Sequence, residues 1–246
     1  MRKILITIQY NGSAFSGWQK QKNALSVQQV LEEKISSLLK EPINLHASGR
    51  TDAGVHAFCQ TAHFETNSVF DIEKLPKAIN SSLNPNVSVL SAKQVPNNFH
   101  ARFCVKKKTY LYRTYASDIK LPLFENGLSR INKNVLTNLD AVKTAASHLI
   151  GTHNFKAFCA SGATVTSFER TIFDIKIKKN KNIIDFYFTG NGFLYNMVRI
   201  LTGTLIAVGE DKIKPDEIPN IIKSQQRKNA GKTMPAHALY LYKVKY

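Results

Sequence analysis

The order of strand-like and helix-like segments constrains the fold of this chain most strongly. Residues 3–10 read as a strand, and residues 26–40 repeat apolar side chains at helical spacing, with Ser26 and Gln29 as a capping-box pair at the start. Three strand-like segments follow at 43–47, 56–64 and 87–95, with one more helical segment at 71–83. The order β-α-β-β-α-β is typical of a ferredoxin-like or RNA-recognition-like unit.

The remaining sequence repeats this order loosely. It predicts strands at 109–116 and 238–246, a hairpin at 170–190, and helices at 138–150, 193–208 and 215–225. We therefore predict an α+β fold of two ferredoxin-like or RRM-like β-α-β-β-α-β halves, 1–103 and 104–246. Their sheets are expected to be mostly antiparallel and to join around a central cleft. The least regular segments, 117–134 and 151–168, are candidate RNA-facing loops.

The charge of the chain indicates its partner. Lys and Arg number 34 against 17 Asp and Glu, a formal net charge of +17, and 10% of the residues are aromatic, as in a folded chain. A folded protein this basic most often binds nucleic acid, and a membrane surface is the second choice. The apolar run at 4–8 is too short for a signal peptide or a membrane span. The three widely spaced cysteines indicate reduced thiols, and we expect a cytoplasmic protein.

A single carboxylate, Asp52, lies in a polar loop between an Arg-Thr pair and an Ala-Gly turn. An Asp beside Gly is commonly a turn former, but it could also be a catalyst held where a polyanion binds. Arg199 bears on this choice because it lies in a strongly apolar helical segment. A half-buried guanidinium needs an anion there, and Asp52 is a candidate. The alternatives are that Arg199 meets a phosphate or caps backbone carbonyls.

Two patterns near Asp52 resemble sites that the sequence does not support. Gly49 and Gly54 have the spacing of a phosphate-binding loop, but no Lys-Ser/Thr pair follows. His56, Cys59 and His63 resemble a metal cluster. On a strand, however, His56 points to one face and the other two point to the opposite face. We therefore expect neither a nucleoside triphosphate site nor a metal site.

Aromatic and basic side chains supply further candidates. Tyr110 and Tyr112 alternate with Leu111 along a strand that follows three lysines. Such aromatics can stack on bases, or they can pack in a core. Arg50, beside Asp52, could bind a phosphate, wedge into a base stack, or remain solvated.

The segment "GRTDAGVHA" closely resembles the catalytic motif of the tRNA pseudouridine synthase A family. Further matches cover nearly the whole chain: "YNGSAFSGWQKQ", "SVQQVLE", "NFHARF", "KTYLYR", "GTHNFKAF", "RTI", "FLYNMVRILTG" and "PAHALYLY". The sequence departs from the family pattern at four positions, where Asn11 replaces the commoner Asp, Ala238 replaces a usual Gly, and Lys232 and Met234 lie in the C-terminal motif.

This resemblance implies conversion of uridine to pseudouridine at positions 38, 39 and 40 of the tRNA anticodon stem-loop. It assigns Asp52 as the catalytic aspartate and Tyr110 as the ring that stacks on the target uracil. Arg199 corresponds to the basic residue that pairs with the aspartate, and Arg50 to the arginine that enters the RNA stem when the base leaves. The resemblance also implies a homodimer in which tRNA contacts both subunits, and no cofactor or metal.

Two other classes of function remain open from the residues alone. A non-catalytic RNA-binding module or RNA chaperone would keep the basic surface and the aromatic residues but would not need Asp52. A base-excising hydrolase would use Asp52 at the glycosidic carbon and would release free uracil.

Overall fold

The computed structural model describes all 246 residues, Met1–Tyr246. The chain forms two compact units, Met1–Lys106 with Tyr240–Tyr246, and Lys107–Leu239. It contains ten strands and six α-helices, and most strand pairs are antiparallel, so the predicted α+β class is confirmed. Because these units are defined by packing rather than by independent folding, the predicted division into 1–103 and 104–246 stays a prediction.

The first unit contains the predicted β-α-β-β-α-β order and one strand from the end of the chain. Its elements are β1 (Arg2–Tyr10), α1 (Val27–Leu39), β2 (His46–Ala47), β3 (His56–Thr66), α2 (Leu75–Asn80), β4 (Val87–Val95) and β10 (Leu239–Lys245). The predicted strand near 43–47 is thus only two residues long. Pro76 is compatible with α2 because it lies in the first turn, where no intrahelical N–H is needed.

β1 is the central strand of this unit, with β4 and β3 antiparallel on its two sides. β2 pairs antiparallel and β10 pairs parallel with β3. The register of β1 and β3 slips between Ile8 and Tyr10, so that Gln9 alone lies opposite Phe58 and Cys59. This bulge ends the regular pairing close to the loop that carries Asp52.

The start of α1 is fixed by its cap. The Ser26 side chain accepts a hydrogen bond from the backbone N–H of Gln29 at 3.3 Å, as predicted. The Gln29 side-chain amide donates to Glu33 in the next turn at 2.9 Å. The buried face of the helix includes Leu31 and Ile35, which are fully buried and anchor α1 to the core.

The second unit places four antiparallel strands in the order β5, β9, β8, β7, with β6 parallel to β5. Its elements are β5 (Lys107–Ala116), β6 (Ser129–Ile131), α3 (Asn134–Thr137), α4 (Leu139–Ser147), β7 (Gly151–Asn154), β8 (Glu169–Asn180), β9 (Ile183–Gly190), α5 (Met197–Gly209) and α6 (Ile218–Ser224). None of the helices of the chain combines the length and the apolar character that a membrane span requires.

The two segments predicted to be the least regular, 117–134 and 151–168, contain the short strands β6 and β7. Two predictions for this unit were wrong in their details. The helix predicted over 138–150 ends at Ser147. The helix predicted from 193 begins only at Met197, since Asn196 has a φ of 57° and this left-handed backbone cannot continue a helix.

A buried histidine connects the segment before the second unit to the first sheet. The backbone N–H of Ala101 donates to Nδ1 of His63 at 3.1 Å, and the Tyr246 hydroxyl donates to the Ala101 carbonyl at 3.0 Å. His63 is 3% exposed. Burial, and then the nearby His100, lower the pKa of His63 to about 4. Because only an unprotonated Nδ1 accepts a hydrogen bond, this contact requires neutral His63.

We expect the free energy of unfolding to decrease as the pH falls from about 6.5 to about 4. In that window the unfolded chain binds a proton at His63 while the folded chain does not, so acid favours unfolding, by about 1–3 kcal/mol. Urea unfolding at a series of pH values measures the effect. His63→Asn keeps an acceptor near the Nδ1 position without titrating, so its decrease should be clearly smaller. An equal decrease in the variant would contradict this account.

Candidate active site

The Asp52 loop, residues 48–55, connects β2 to β3 and is held by buried polar groups. The Thr51 carbonyl accepts the backbone N–H of Trp18 at 3.1 Å. The Thr51 hydroxyl lies 2.7 Å from the hydroxyl of Tyr10. One residue further, the Asp52 carbonyl accepts the N–H of Val55 at 3.1 Å and closes a turn. The backbone is therefore fixed on both sides of the Asp52 side chain.

The base of the Asp52 loop is fixed by Gln60, which is fully buried in β3. Its Oε1 accepts from the Ser48 hydroxyl at 2.7 Å, and its Nε2 donates to the Gly49 carbonyl at 2.9 Å. The Ser48 N–H donates to the Thr61 carbonyl at 2.8 Å. One amide side chain thus satisfies both a donor and an acceptor of the loop.

Two glycines allow the segment after β1 to pack against the Asp52 loop. A Cβ on Gly12 would lie 2.0 Å from the Val55 carbonyl oxygen, so no side chain fits there. A Cβ on Gly17 would lie 2.7 Å from the Thr51 oxygen, and Gly17 has a φ of 95°. The close approach of this segment makes the hydrogen bond between Trp18 and Thr51 possible.

The environment of the Asp52 loop changes sharply along three residues. Thr51 is buried, Asp52 is half-buried, and Arg50 is exposed. Tyr10, whose hydroxyl bonds to that of Thr51, is 4% exposed, and burial raises its pKa to about 12. Its hydroxyl therefore stays protonated at neutral pH and remains able to hydrogen-bond to Thr51.

Tyr10, Thr51 and Gln60 were missed by the sequence reasoning as supports of the site. Their polar atoms act by fixing a neighbouring backbone, and such contacts join residues that are far apart in the sequence. A signal was present in the segment "YNGSAFSGW", where two glycines lie between large aromatic residues. Glycines in such a place indicate a close backbone approach.

In the second unit, the two tyrosines of β5 have different surroundings. Tyr112 is fully buried, and its hydroxyl donates to the Pro235 carbonyl at 2.8 Å, so it is a core residue. Tyr110 is half-buried, and the Phe193 ring meets it edge-on with centroids 5.2 Å apart. Of the pair, Tyr110 is the one that is partly exposed.

Arg199 lies in the first turn of α5 and is half-buried, as predicted. Its Nε donates to the Met234 carbonyl at 2.5 Å, and one terminal nitrogen donates to Oδ1 of Asn196 at 2.6 Å. Arg199 therefore bonds to a backbone carbonyl, which was one of the alternatives that the sequence left open, and an asparagine side chain is its second acceptor. These bonds orient the guanidinium, while its pairing with Asp52 stays a prediction.

The segment after residue 230 packs closely on α5. A Cβ on Gly203 would lie 1.9 Å from the Lys232 carbonyl oxygen, and the Gly231 N–H donates to the Thr204 hydroxyl at 2.8 Å. Lys232 and Met234, two of the departures from the family pattern, thus lie where the segment contacts the Arg199 helix. The contact of Lys232 uses its backbone carbonyl, whereas Met234 bonds to Arg199 through its backbone and also buries its side chain.

The two buried histidines of β3 act as hydrogen-bond acceptors. Nδ1 of His56 accepts the Gly12 N–H at 3.1 Å, much as His63 accepts Ala101. No group of three or more His, Cys, Asp or Glu side chains in the chain could hold a metal ion. Both imidazoles thus serve the packing of nearby backbone.

The fold and the candidate site are those of a basic α+β protein in which a loop fixed by hydrogen bonds carries a carboxylate. The sequence model of the family described as tRNA pseudouridine synthase matches residues 6–104 and 145–246. The tRNA pseudouridine synthase A of Thermoanaerobacter sp. (strain X514) is 46% identical over 246 residues, which covers 100% of both chains. That of Acetivibrio thermocellus is 41% identical over 246 residues, with the same coverage. The chain therefore belongs to the tRNA pseudouridine synthase family.

This assignment confirms the predicted resemblance and the predicted enzyme class, an isomerase acting on tRNA. Among solved structures, a Cbf5-Nop10-Gar1 complex matches 83% of this chain and 44% of its own at a TM-score of 0.37 and 11% identity.

We expect Tyr10→Phe to slow the isomerisation of bound tRNA by about 10- to 100-fold, because it releases Thr51 and lets the carboxylate shift. The dissociation constant of tRNA should change by less than about threefold, about 0.6 kcal/mol, since Tyr10 is buried. Single-turnover rates and equilibrium binding measure the two effects.

Two variants control the Tyr10 experiment. Thr51→Val breaks the same hydrogen bond from the other side and should reproduce the slow rate. Tyr115→Phe removes another buried tyrosine hydroxyl, one bonded to Glu125 at 2.5 Å, and should leave the rate unchanged. Equal rates for Tyr10→Phe and the wild type would remove Tyr10 from a positioning role.

Proposed function

We propose that this chain converts uridine to pseudouridine at positions 38, 39 and 40 of the tRNA anticodon stem-loop, with Asp52 as the catalytic carboxylate. One observation carries the proposal. The lone carboxylate of "GRTDAGVHA" lies on a backbone fixed by Thr51 and Gln60, in a chain related over its full length to tRNA pseudouridine synthases. A fixed carboxylate is suited to covalent or acid-base chemistry at a defined atom.

The reaction determines what the protein must supply. The N1–C1′ bond of uridine breaks, the uracil turns, and a C5–C1′ bond forms. C5 then loses a proton, and N1 gains one. No atom is gained or lost overall, so the balance of the reaction calls for no redox group or donor. The protein must supply a carboxylate at the ribose, a surface that retains the uracil, and a base for the C5 proton.

Two roles for Asp52 satisfy this chemistry. The carboxylate can attack C1′ and form a glycosyl ester, which C5 of the uracil then displaces. Alternatively, it can remove the C2′ proton and leave a glycal, to which C5 adds at C1′ while the carboxyl group returns the proton to C2′. Substitution of deuterium at C2′ separates these roles, because only the second breaks the C2′–H bond.

Tyr110 would form the platform on which the released uracil turns. It is the tyrosine of β5 with exposed ring surface, and Phe193 supports its ring from the side. Stacking on a flat ring retains a base without fixing its rotation, as the reaction requires. The hydroxyl oxygen of Tyr110 would accept the C5 proton while its own proton passes to solvent.

Arg199 would keep Asp52 ionised and oriented. Its two bonds within the second unit use two of the five N–H donors of the guanidinium. Three donors remain for a carboxylate or for an RNA phosphate. A cation beside Asp52 would favour the charged form that the chemistry needs.

Arg50 would occupy the RNA stem after the target base leaves it. Flipping a stacked uridine costs a few kcal/mol, and an exposed arginine beside the catalytic loop can fill the gap. The net charge of +17 supplies phosphate contacts that offset this cost.

The proposal also covers the two parts of the chain, the oligomeric state of the enzyme and its location in the cell. In it, residues 1–103 carry the Asp52 loop and residues 104–246 complete the active-site cleft with Tyr110 and Arg199. The enzyme would act in the cytoplasm as a homodimer, with one tRNA contacting both subunits, and without a metal or cofactor.

Asp52→Asn should reduce the single-turnover rate by about 10³-fold or more, because the amide lacks the charge that bond chemistry needs. The affinity for tRNA should change little. The assay follows tritium release from uridine C5 of unmodified tRNA. Asp71→Asn, which alters an exposed helix cap, is the control and should leave the rate unchanged.

A loss below about tenfold in Asp52→Asn would remove Asp52 from the catalytic role. Abasic tRNA and free uracil as the products of the wild type would identify a base-excising hydrolase instead. Wild-type protein that binds tRNA without changing it would identify a non-catalytic RNA-binding module.

Tyr110→Phe and Tyr110→Leu separate the ring from the hydroxyl. If the hydroxyl accepts the C5 proton, as proposed, Tyr110→Phe should still cleave the glycosidic bond. Its rate of tritium release should be lower than that of the wild type by about 10²-fold or more. Leu should lower retention of the uracil as well. The measurement is rapid quenching with separate assays of cleavage and tritium release. Full activity in both variants would show that Tyr110 serves only packing.

A further inference from the structure

A pocket of about 380 Å³ opens on the sheet of the first unit. Residues from β1, β3 and β10 line it together with the segment that leads into β4. Its walls include Gln9, Asn11, His56, Phe58, Asn86 and Tyr240. None of the lining residues is Lys, Arg, Asp or Glu.

Three aromatic side chains that line this pocket, together with the adjoining Tyr242, form a continuous surface, which we call the aromatic wall. The Tyr240 ring stacks on His56 and on Phe58, with centroid distances of 4.7 and 5.0 Å and interplanar angles of 18° in both cases. Tyr242 meets Phe58 edge-on at 6.0 Å. Phe58 is 38% exposed and Tyr242 is 41% exposed. The stack therefore has open ring surface to which another flat ring can add.

Side-chain amides line another part of the pocket. The Asn11 amide donates to Oδ1 of Asn86 at 3.3 Å, and the Asn86 amide donates to Oδ1 of Asn84 at 3.3 Å. Each NH₂ group has two N–H donors, and one of each is used in this chain of amides. Asn11 and Asn86 can thus each donate a second hydrogen bond to an acceptor in the pocket.

The chemistry of the pocket selects its ligand. A phosphate would require a cationic wall, which this pocket lacks. A nucleobase is flat, uncharged and rich in acceptors at its edge, so it matches stacked rings beside amide donors. In a protein of a tRNA-modifying family with a net charge of +17, the available source of such bases is tRNA itself.

We propose that the aromatic wall and the amides of Asn11 and Asn86 bind one unpaired base of the substrate tRNA, separate from the uridine that is isomerised. This inference rests on the proposed function in that the bound RNA is tRNA. Stacking holds the base and the amides bond to its edge, so the pocket adds to the affinity of the protein for tRNA.

A photo-cross-linker placed on the aromatic wall tests the contact directly. Phe58→p-benzoylphenylalanine is bound to unmodified tRNA, irradiated, and the attachment site is mapped. We expect one principal cross-link, to an unpaired nucleotide. Cross-links confined to a second copy of the protein, or spread over paired stems, would overturn the proposal.

Affinity measurements then test the energetics. Phe58→Ala should weaken tRNA binding by about tenfold without changing its salt dependence, because stacking neutralises no phosphate. Removal of the cross-linked base from the tRNA should weaken binding by the wild type to the same extent. It should not weaken binding by Phe58→Ala any further. Phe58→Leu keeps apolar packing but loses the flat ring, so it should bind as weakly as Phe58→Ala.

Phe103→Ala is the matched control, since Phe103 is a 75% exposed phenylalanine of the same unit outside the pocket. It should bind tRNA normally. Normal binding by Phe58→Ala and Phe58→Leu would refute the pocket. The turnover of bound tRNA should be unchanged in both, so failure of the pocket is distinguishable from failure of the proposed function, which would leave the wild type itself unable to form pseudouridine.

Discussion

The hydrogen bond between the hydroxyls of Tyr10 and Thr51 is the interaction on which the arrangement of the Asp52 loop depends most. It connects the loop to β1, the central strand of the first unit. A neutral hydrogen bond contributes only about 1 kcal/mol to stability, but leaving a buried hydroxyl without a partner costs about 1–3 kcal/mol. Alternative positions of the loop are therefore disfavoured.

This arrangement explains why the residues around Asp52 have such different character. Thr51 and Gln60 serve the fold and are buried, whereas Arg50 is exposed to solvent. Ordering a loop costs about 1–2 kcal/mol per residue in backbone entropy. Here that cost is met during folding, by packing against the glycine-containing segment after β1. Binding of RNA then need not order the Asp52 loop again.

The sequence predicted the strands and helices of the first unit well because each follows one clear apolar period. The strand β7 was missed since it has only four residues, too few for a period to appear. Asp52 and Arg199 were predicted from charge and from family resemblance. The bonds of Arg199 to Met234 and Asn196 could not be derived in detail, because they depend on how a distant segment packs on α5. The supports Tyr10 and Gln60 were missed for the same physical reason.

The central claim is that the fixed loop presents the Asp52 carboxylate to the ribose of the target uridine. A structure of the enzyme bound to an anticodon stem-loop with 5-fluorouridine at position 39 tests it most directly, because fluorine at C5 cannot leave as the proton does. We predict a covalent bond between Asp52 and C1′, or a carboxylate oxygen within about 3.5 Å of C1′ or C2′. A flipped uridine bound with Asp52 well beyond hydrogen-bonding distance of its ribose would contradict the account.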